Sequence, residues 1–297
     1  MPLDFSPNRI YNLENSETKN GGDKMLSVNS IGMKRALLIN DLSCLGKCSL
    51  SVAMPIISAY GIETAILPTA LLSTHTAEGF GDYVMRDLTR ELSDFTAHWK
   101  ALGVKFDCIY TGFFGSVEQI KLTEKLIDEF ADENTLIMID PVLGDFGGLY
   151  GCFDEAFVGE MRRLCSLADI ITPNKTEAAL LTGYAMETDA NELLEKLGAK
   201  NAVITGVKSG GEIGYLASFG EEKVSIMKRM IPKELHGTGD VFASAFCAEL
   251  MNGKDYKQAL TDAADFCDEC IKATEKKLPN HWYGLAFEEV LRKRMGL

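Results

Sequence analysis

Short apolar segments of strand length alternate with longer amphipathic segments along most of this 297-residue chain. The alternation begins with a strand predicted over 35–40 and continues to a strand predicted over 202–205. Parallel strands need long crossover connections, which are usually helices, so this order predicts a mostly parallel sheet with helices on both faces. Segments 214–218 and 223–227 have only a short turn between them and are predicted to form an antiparallel pair.

The remaining elements are predicted from the spacing of apolar residues. Further strands are predicted over 64–68, 108–111, 135–140 and 169–172, and helices over 50–60, 82–102, 119–130, 154–167, 175–182, 191–197, 239–251, 255–274 and 285–293. The helix over 82–102 would bury one face, which carries Leu88, Leu92, Phe95 and Trp99.

No internal repeat or low-complexity linker divides the chain after residue 32. Residues 33–297 are therefore predicted to form a single domain, which is a length that one large α/β domain can reach. Residues 1–32 are polar, rich in Asn, Ser and Gly, and without periodicity. They are predicted to form a disordered or loosely packed N-terminal extension.

The formal net charge of −13 argues against nucleic acid or an anionic membrane surface as a partner. No run of about 18 apolar residues occurs, so no membrane-spanning helix is predicted. The eight cysteines lie in apolar segments and no secretory signal is recognised, which favours free thiols in a reducing cytoplasm. Cys267 and Cys270 lie in a predicted helix without a second ligand pair, so they are predicted to be buried apolar side chains rather than zinc ligands.

Polar or small residues follow five of the predicted strands, at the point where each strand ends. They are Asn40, Asp41, Thr111, Gly112, Asp140, Thr172, Asn174, Thr205 and Gly206. A solvated loop is the ordinary explanation for any one of them alone. Ligands of open α/β sheets bind at the carboxyl ends of the strands, so their shared position at one edge predicts a ligand site there.

The pentapeptide His-Gly-Thr-Gly-Asp over 236–240 precedes a predicted helix of small and apolar residues. Gly237 and Gly239 lack a β-carbon, so the backbone can turn tightly and approach a ligand closely. Unpaired N–H groups and the positive end of the helix dipole make such a position an anion site. Asp240 would then lie beside the bound anion. The structural alternative is that Thr238 or Asp240 only caps the helix and the glycines only form a turn.

Two further acidic segments are predicted at the same edge. Asp140 and Asp145 belong to Asp-Pro-Val-Leu-Gly-Asp after a strand, and Asn174 and Glu177 lie three residues apart at a helix start. Carboxylate oxygens suit Mg²⁺, which keeps several waters and bridges to nucleotide phosphates. Asp140, Asp145 and Glu177 are therefore predicted as Mg²⁺ ligands, directly or through water. Asn174 and Glu177 also match a helix capping box, which is the structural alternative.

These parts together predict a phosphoryl-transfer site. The loop of Gly237, Thr238 and Gly239 would stabilise charge on the transferred group, and Asp240 would take the proton from an attacking hydroxyl. The chain contains neither the G-x-x-x-x-G-K-[ST] motif nor the protein-kinase signatures, so these two classes of phosphate site are not predicted.

The motifs occur in one order together with Ser-Thr-His-Thr over 73–76 and Thr-Gly-Phe over 111–113. This combination resembles the vitamin B6 kinase branch of the ribokinase-like superfamily, which contains pyridoxal and pyridoxamine kinases. The resemblance extends over about residues 34–275. It implies an α/β protein with a three-layer α/β/α fold and a central, mostly parallel sheet.

The resemblance implies an ATP-dependent kinase that phosphorylates the 5′-hydroxymethyl group of pyridoxal, pyridoxamine or pyridoxine. It also implies Mg²⁺, a monovalent cation such as K⁺, and a homodimer. By motif, Asp240 is implied as the general base, and Gly237, Thr238 and Gly239 as the anion hole. The implied ATP-binding residues are Asp140, Asp145, Tyr150, Asn174, Thr205 and Thr238, and the implied metal ligands are Asp140, Asp145 and Glu177. The implied residues of the pyridine pocket are Asp41, Leu72, Thr76 and Phe113.

The chain departs from this branch after the first strand, where Asp41 stands in place of a serine. An acceptor-only anion favours a protonated ring nitrogen or an amine, and so pyridoxamine over pyridoxal. Asp41 is also similar to the Asp-x-Ser of hydroxymethylpyrimidine kinases, so a thiamin-pathway kinase of that class is the alternative function. Phe113 in place of tyrosine keeps a stacking face but loses a hydroxyl. A non-catalytic vitamer- or nucleotide-binding protein is a third alternative, which the intact glycines and Asp240 disfavour.

Overall fold

The computed structural model describes residues 28–29, 32–231, 233 and 235–296. Its strands are β1 (Arg35–Ser43), β2 (Glu63–Leu72), β3 (Met85–Asp87), β4 (Cys108–Thr111), β5 (Leu136–Ile139), β6 (Gly144–Asp145), β7 (Gly148–Leu149), β8 (Ile170–Ile171), β9 (Asn201–Ser209), β10 (Glu212–Phe219) and β11 (Glu222–Arg229). Its helices are α1 (Leu50–Ala59), α2 (Thr89–Ala101), α3 (Val117–Phe130), α4 (Glu155–Cys165), α5 (Lys175–Thr182), α6 (Ala190–Lys196), α7 (Thr238–Met251), α8 (Tyr256–Glu275) and α9 (Phe287–Arg294).

Nine of the described strands form one sheet, in the order β11-β10-β9-β8-β5-β4-β1-β2-β3. The strands from β9 to β2 in this order pair in parallel. β10 is antiparallel to β9 and β11, and β3 is antiparallel to β2. β1 lies between β2 and β4, so the chain first continues on one side of β1 and later returns on its other side. This reversal opens a crevice at the carboxyl ends of β1 and β4.

Helices cover both faces of the sheet. α1, α7, α8 and α9 enclose one core, in which Phe242 and Phe266 are almost fully buried. α2 to α6 enclose the other core, which contains Ile120 and Met161. Burying one such large apolar side chain contributes roughly 1.5–3 kcal/mol to folding. The predicted three-layer α/β/α fold is therefore confirmed. Within the described segments, no helix is both long and apolar enough to cross a bilayer.

The helix predicted over 82–102 is shorter in the structure, because α2 begins only at Thr89 and the edge strand β3 precedes it. The Asp87 carboxylate accepts a hydrogen bond from the Thr89 N–H (3.0 Å), which satisfies an amide at the start of α2. Leu92 is 2% exposed on this helix, whereas Phe95 is 45% exposed. The prediction that Phe95 belongs to the buried face is therefore wrong, because only a narrow stripe of α2 packs against the core.

Strand boundaries beside the predicted site also differ from the sequence-based ones. β1 continues past Asn40 to Ser43, and β9 continues past Thr205 to Ser209. β9 extends because β10 pairs with it along its length, even though Gly206 interrupts the pattern with a φ of 69°. The hairpin of β6 and β7 was not predicted, since two-residue strands are too short to show alternation.

The predicted N-terminal extension lies mostly outside the described residues, which include only three of its members. Two of these contact the domain. The Asn29 carboxamide donates to the Gly103 carbonyl (2.8 Å) and accepts from the Lys105 N–H (3.0 Å), and the Arg35 guanidinium donates to the Val28 carbonyl. These contacts show that Val28 and Asn29 lie against the domain.

All eight cysteines are free thiols, as predicted. Cys267 and Cys270 are 1% and 0% exposed within α8, so they are buried apolar side chains as expected.

Candidate active site

Five acidic residues from distant parts of the sequence form a row along the carboxyl edge of the sheet. Burial raises the pKa values of Asp240, Asp140 and Glu177, and repulsion from a neighbouring acid raises each further. The charge of Asp41 raises the pKa of Asp240, and the charge of Asp240 raises the pKa of Asp140. The charges of Asp140 and Asp145 both raise the pKa of Glu177. We call this set the acidic row. Two of its members, Asp41 and Asp140, belong to the strand-end residues of the sequence analysis, and the other three come from the predicted acidic segments and the glycine loop.

Asp240 occupies the first turn of α7 and interacts with both Asp41 and Asp140 of the acidic row. Burial raises its pKa to about 6; the Ser49 N–H lowers this pKa and the Asp41 carboxylate raises it. A carboxylate with a pKa near 6 is mostly ionised at neutral pH and is a stronger base than an ordinary aspartate. Asp240 therefore has the protonation behaviour that a general base needs.

The start of α7 leaves backbone N–H groups available for an anion. Gly237 is the N-cap residue, with φ 76° and ψ 12°, and no described side chain caps this helix. The N–H groups of Thr238, Gly239 and Asp240 have no partner within the helix, as in the first turn of any α-helix. Gly237 rather than Thr238 or Asp240 occupies the N-cap position of α7.

Gly237 is required at its position by two independent features. Its positive φ is one that side chains with a β-carbon rarely adopt. A β-carbon there would also lie 2.3 Å from the carbonyl oxygen of Lys47. Gly239 differs on both counts, because its φ is ordinary and a β-carbon would meet no atom within 4 Å.

Asp41 lies at an irregularity in β1, where the register with β2 shifts between Asn40 and Leu42. Such bulges commonly redirect a side chain at the rim of a sheet. Burial raises the pKa of Asp41, and hydrogen bonds from the Ser49 and Ser43 hydroxyls lower it. Ser43 Oγ lies 3.2 Å from Asp41 Oδ2. Asp41 is therefore a buried acceptor at the crevice between β1 and β4, where a substrate ring was predicted.

Asn40 holds the two sides of this crevice together, a role that the sequence analysis did not assign. Its Oδ1 accepts hydrogen bonds from the N–H groups of Asp41 (2.9 Å) and Phe113 (2.8 Å). Gly112 leaves room for it, because a β-carbon there would lie 2.2 Å from Asn40 Nδ2. An amide and a glycine that end neighbouring strands are the sequence signal for this contact.

Replacing Asn40 by alanine should lower the free energy of unfolding by about 1–3 kcal/mol, because two buried N–H groups lose their acceptor. Urea unfolding measures this loss. The matched control is Asn252→Ala, which removes an exposed hydrogen bond to the Tyr60 carbonyl and should change stability little. If both variants were as stable as the wild type, the Asn40 carboxamide would not hold the crevice.

Asn174 and Glu177 form the capping box that was the structural alternative for this pair. Asn174 Oδ1 accepts from the Glu177 N–H (2.9 Å), and Glu177 Oε2 accepts from the Asn174 N–H (2.7 Å). Glu177 Oε1 accepts from the Leu143 N–H (3.2 Å), and Asn174 Nδ2 donates to the Gly144 carbonyl (2.9 Å). Both Glu177 oxygens are thus engaged with the backbone, which fits contact with a metal through water better than direct ligation.

The β6–β7 hairpin carries Asp145 and precedes Tyr150. Its turn residues Phe146 and Gly147 have φ values of 52° and 83°, and the Gly147 N–H donates to Thr176 Oγ1 (2.9 Å). Asp145 is exposed and Tyr150 is 40% exposed. Burial and then the neighbouring acids raise the pKa of Tyr150. The hairpin therefore forms the outer rim of the acidic row.

The described residues contain no group of three or more His, Cys, Asp or Glu side chains that could hold a metal ion by themselves. The acidic row nevertheless offers only oxygen donors, and burial, followed by repulsion from a neighbouring carboxylate, raises the pKa values of Asp140 and Glu177. Mg²⁺ keeps several waters and is often bound by one or two carboxylates plus nucleotide phosphates. The row therefore fits a magnesium–nucleotide complex better than an ion held by protein alone.

The remaining predicted residues lie around the same edge of the sheet. Leu72 is 4% exposed at the end of β2. Phe113 is half-buried after β4, with its ring 5.8 Å from that of Phe153. Thr205 is half-buried within β9 rather than at its end, and forms a bridge to the segment before α5. Thr76 is exposed on the loop after β2, and none of its described contacts joins it to the acidic row.

A model of the phosphomethylpyrimidine kinase family matches residues 59–284 of this chain. A Bacteroides thetaiotaomicron protein assigned as a phosphomethylpyrimidine kinase is 36% identical, with a TM-score of 0.85 over 90% of this chain and 96% of that chain. An orthorhombic crystal form of the protein from that organism contains pyridoxal. Pyridoxal kinase from Lactobacillus plantarum is 34% identical, with a TM-score of 0.82 over 89% of this chain and 97% of that chain.

Pyridoxine kinase from Bacillus subtilis is 31% identical over 182 residues, which are 57% of this chain and 65% of that protein. The matched segment is thus just under two thirds of that relative, whereas the two solved structures match over nearly their whole length. These relatives are kinases, which implies phosphoryl transfer from ATP with the usual Mg²⁺. The chain belongs to the phosphomethylpyrimidine kinase family, within the vitamin B6 kinase branch of the ribokinase-like superfamily.

Proposed function

We propose that this protein transfers the γ-phosphoryl group of ATP to the 5′-hydroxymethyl group of a B6 vitamer. The observation that carries the proposal is the position of Asp240. Asp240 lies in the first turn of α7, where burial and, to a smaller extent, the charge of Asp41 raise its pKa to about 6. A base beside both an anion site and a substrate crevice is what transfer to a hydroxyl group requires.

Each part of the site then has a chemical task. The vitamer ring binds in the crevice, where Asp41 accepts a hydrogen bond from a ring nitrogen or amine and Phe113 offers an aromatic face. Asp240 accepts the 5′-hydroxyl proton as the hydroxyl oxygen attacks phosphorus. The N–H groups of Thr238 and Gly239 hold the oxygens of the transferred group as its bond to ADP breaks.

The nucleotide side of the site is the other half of the acidic row. Asp140 and Asp145 are proposed to hold Mg²⁺, with Glu177 acting through water; when bound, Mg²⁺ neutralises phosphate charge. Tyr150 on the hairpin rim and Thr205 on β9 are proposed to contact the nucleotide. Asn174 contributes by fixing the hairpin through its bond to the Gly144 carbonyl.

Replacing Asp41 by serine should change the choice of vitamer. An anionic acceptor favours a protonated ring nitrogen or an amine, and hydrogen bonds to charged groups contribute about 1.5–3 kcal/mol. The ratio of kcat/KM for pyridoxamine to that for pyridoxal should therefore fall about tenfold or more. Steady-state kinetics with both vitamers measure it. Ser43→Ala removes a hydroxyl that donates to Asp41 but keeps the carboxylate, so it should lower the ratio less than Asp41→Ser does. An unchanged ratio in Asp41→Ser would show that Asp41 does not determine the choice of vitamer.

A hydroxymethylpyrimidine kinase is the second candidate, and two observations favour it. The family model that matches this chain is that of phosphomethylpyrimidine kinase. Asp41 is also a suitable acceptor for the amino group of an aminopyrimidine. The same base and anion site serve either ring, so only a direct comparison of acceptors distinguishes the two functions. The homodimer, K⁺ dependence and a cytoplasmic location stay predictions.

A further inference from the structure

Ser49 is held in a backbone conformation that residues with a β-carbon rarely adopt. Its φ is 57° and its ψ is −133°, and it is 8% exposed immediately before α1. Within the described residues, Phe146 is the other non-glycine residue with positive φ. Such strain persists only where the surrounding structure over-determines it, and it is concentrated at functional sites.

The segment 46–49 is fixed by close packing on three sides. A β-carbon at Gly46 would lie 2.1 Å from His75 Cδ2, and one at Gly284 would lie 2.3 Å from Lys47 Cβ. Gly237 makes the third close approach, to the Lys47 carbonyl. The Lys47 N–H also donates to the Tyr283 carbonyl (3.1 Å). Glycines therefore let this segment approach the start of α7 closely, which explains how the conformation of Ser49 is imposed.

Ser49 acts on two members of the acidic row through two different groups. Its N–H lowers the pKa of Asp240 and its hydroxyl lowers the pKa of Asp41, so each group favours an ionised carboxylate. The side chain does not cap α1, although Ser49 is the N-cap residue and serine commonly forms such a cap. The hydroxyl therefore serves the substrate crevice rather than the helix.

We propose that Ser49 is a positioning residue that fixes the distance between the Asp240 base and the Asp41 acceptor, so that the hydroxyl of the bound acceptor is aligned with the base. The effects on KM and kcat that this inference predicts rest on the proposed function. The strained backbone is what points the N–H at one acid and the hydroxyl at the other. The hydroxyl acts on acceptor binding, and the rigid backbone acts on proton transfer.

Two substitutions separate these contributions. Ser49→Ala keeps the backbone restricted and removes the hydroxyl, so KM for the acceptor should rise about tenfold while kcat stays within about threefold. Ser49→Gly also removes the hydroxyl but releases the backbone, so kcat should fall about tenfold as well. The glycine variant should nonetheless melt no lower than the alanine variant, because glycine tolerates positive φ. The control is Ser51→Ala, which removes a hydrogen bond to the Cys48 carbonyl (2.7 Å) in the same turn.

Kinetics are measured with whichever acceptor the wild type phosphorylates, vitamer or hydroxymethylpyrimidine. The inference is supported if Ser49→Ala and Ser49→Gly split KM and kcat as described while Ser51→Ala resembles the wild type. It is overturned if both Ser49 variants stay within twofold of the wild type in KM and kcat. An inactive wild type would instead contradict the proposed function.

A stability measurement tests the contact between the Ser49 hydroxyl and Asp41 even if the wild type is inactive. The Asp41 carboxylate faces Asp240 on α7, the Cys48 thiol and the Ser43 hydroxyl. Burial raises the pKa of Asp41, so its ionised form costs stability as pH rises, and loss of the Ser49 hydroxyl increases that cost. The Tm deficit of Ser49→Ala should therefore grow as pH rises and Asp41 changes from its protonated to its ionised form. A deficit independent of pH would overturn the contact.

Discussion

Replacing Asp240 by asparagine should lower kcat by about 10²–10⁴-fold and leave ATP binding within a few-fold of the wild type. Asparagine keeps the shape of the side chain but cannot accept the proton of an attacking hydroxyl. The amides of Thr238 and Gly239 remain in place, so the phosphate groups keep their binding site. A coupled assay of ADP release gives kcat, and calorimetry gives nucleotide affinity. Near-normal turnover in this variant would remove Asp240 from its assigned role.

The pH dependence of the same reaction gives a second test of Asp240. Burial raises its pKa to about 6, so kcat/KM of the wild type should fall as pH drops below about 6 and the base is protonated. A raised carboxyl pKa also means that ionisation costs stability, a cost that is absent at low pH and appears as pH rises through the folded pKa. Asp240→Asn should therefore melt no lower than the wild type at pH 8, although it is nearly inactive.

Replacing Gly237 by alanine should lower the free energy of unfolding by about 2–4 kcal/mol and kcat by about 100-fold. The new β-carbon would meet the Lys47 carbonyl, and the φ of 76° would be unfavourable for alanine. The start of α7 must move to relieve the close contact with Lys47 and the unfavourable φ. This movement displaces the amides that are proposed to hold the transferred group. Urea unfolding and steady-state kinetics measure the two effects.

Gly239→Ala is the matched control in the same loop. A β-carbon at Gly239 would meet no protein atom within 4 Å, and alanine favours a helix over glycine by about 1 kcal/mol. This variant should therefore be at least as stable as the wild type. Equal losses of stability in Gly237→Ala and Gly239→Ala would show that the close approach of Lys47 does not shape the loop.

The sheet and the site edge could be predicted because each depends on a local pattern. Buried parallel strands are short and apolar, and polar residues follow them, so the assembly of Asp140, Asp240 and Glu177 at one edge follows from topology. The hydrogen-bond pattern of Asn174 and Glu177 was equally local, and a capping box was already one of the two alternatives.

Features that depend on contacts between distant segments could not be predicted. The irregularity at Asp41 depends on how β1 pairs with β2, and the positive φ of Ser49 depends on packing against segments that lie far along the chain. The start of α2 was misplaced because Met85–Asp87 pairs with β2, although its sequence also fits a helix. Tertiary pairing outweighs local propensity in each of these cases.

The most direct test of the proposed function is a comparison of acceptors with the purified full chain, ATP and Mg²⁺. Pyridoxal, pyridoxamine, pyridoxine and hydroxymethylpyrimidine are supplied separately, and mass spectrometry identifies each phosphorylated product. The account predicts a 5′-phosphate from a B6 vitamer with kcat/KM at least about tenfold above that for hydroxymethylpyrimidine, a difference of about 1.4 kcal/mol. Preferred phosphorylation of hydroxymethylpyrimidine, or no phosphorylated vitamer, would contradict it.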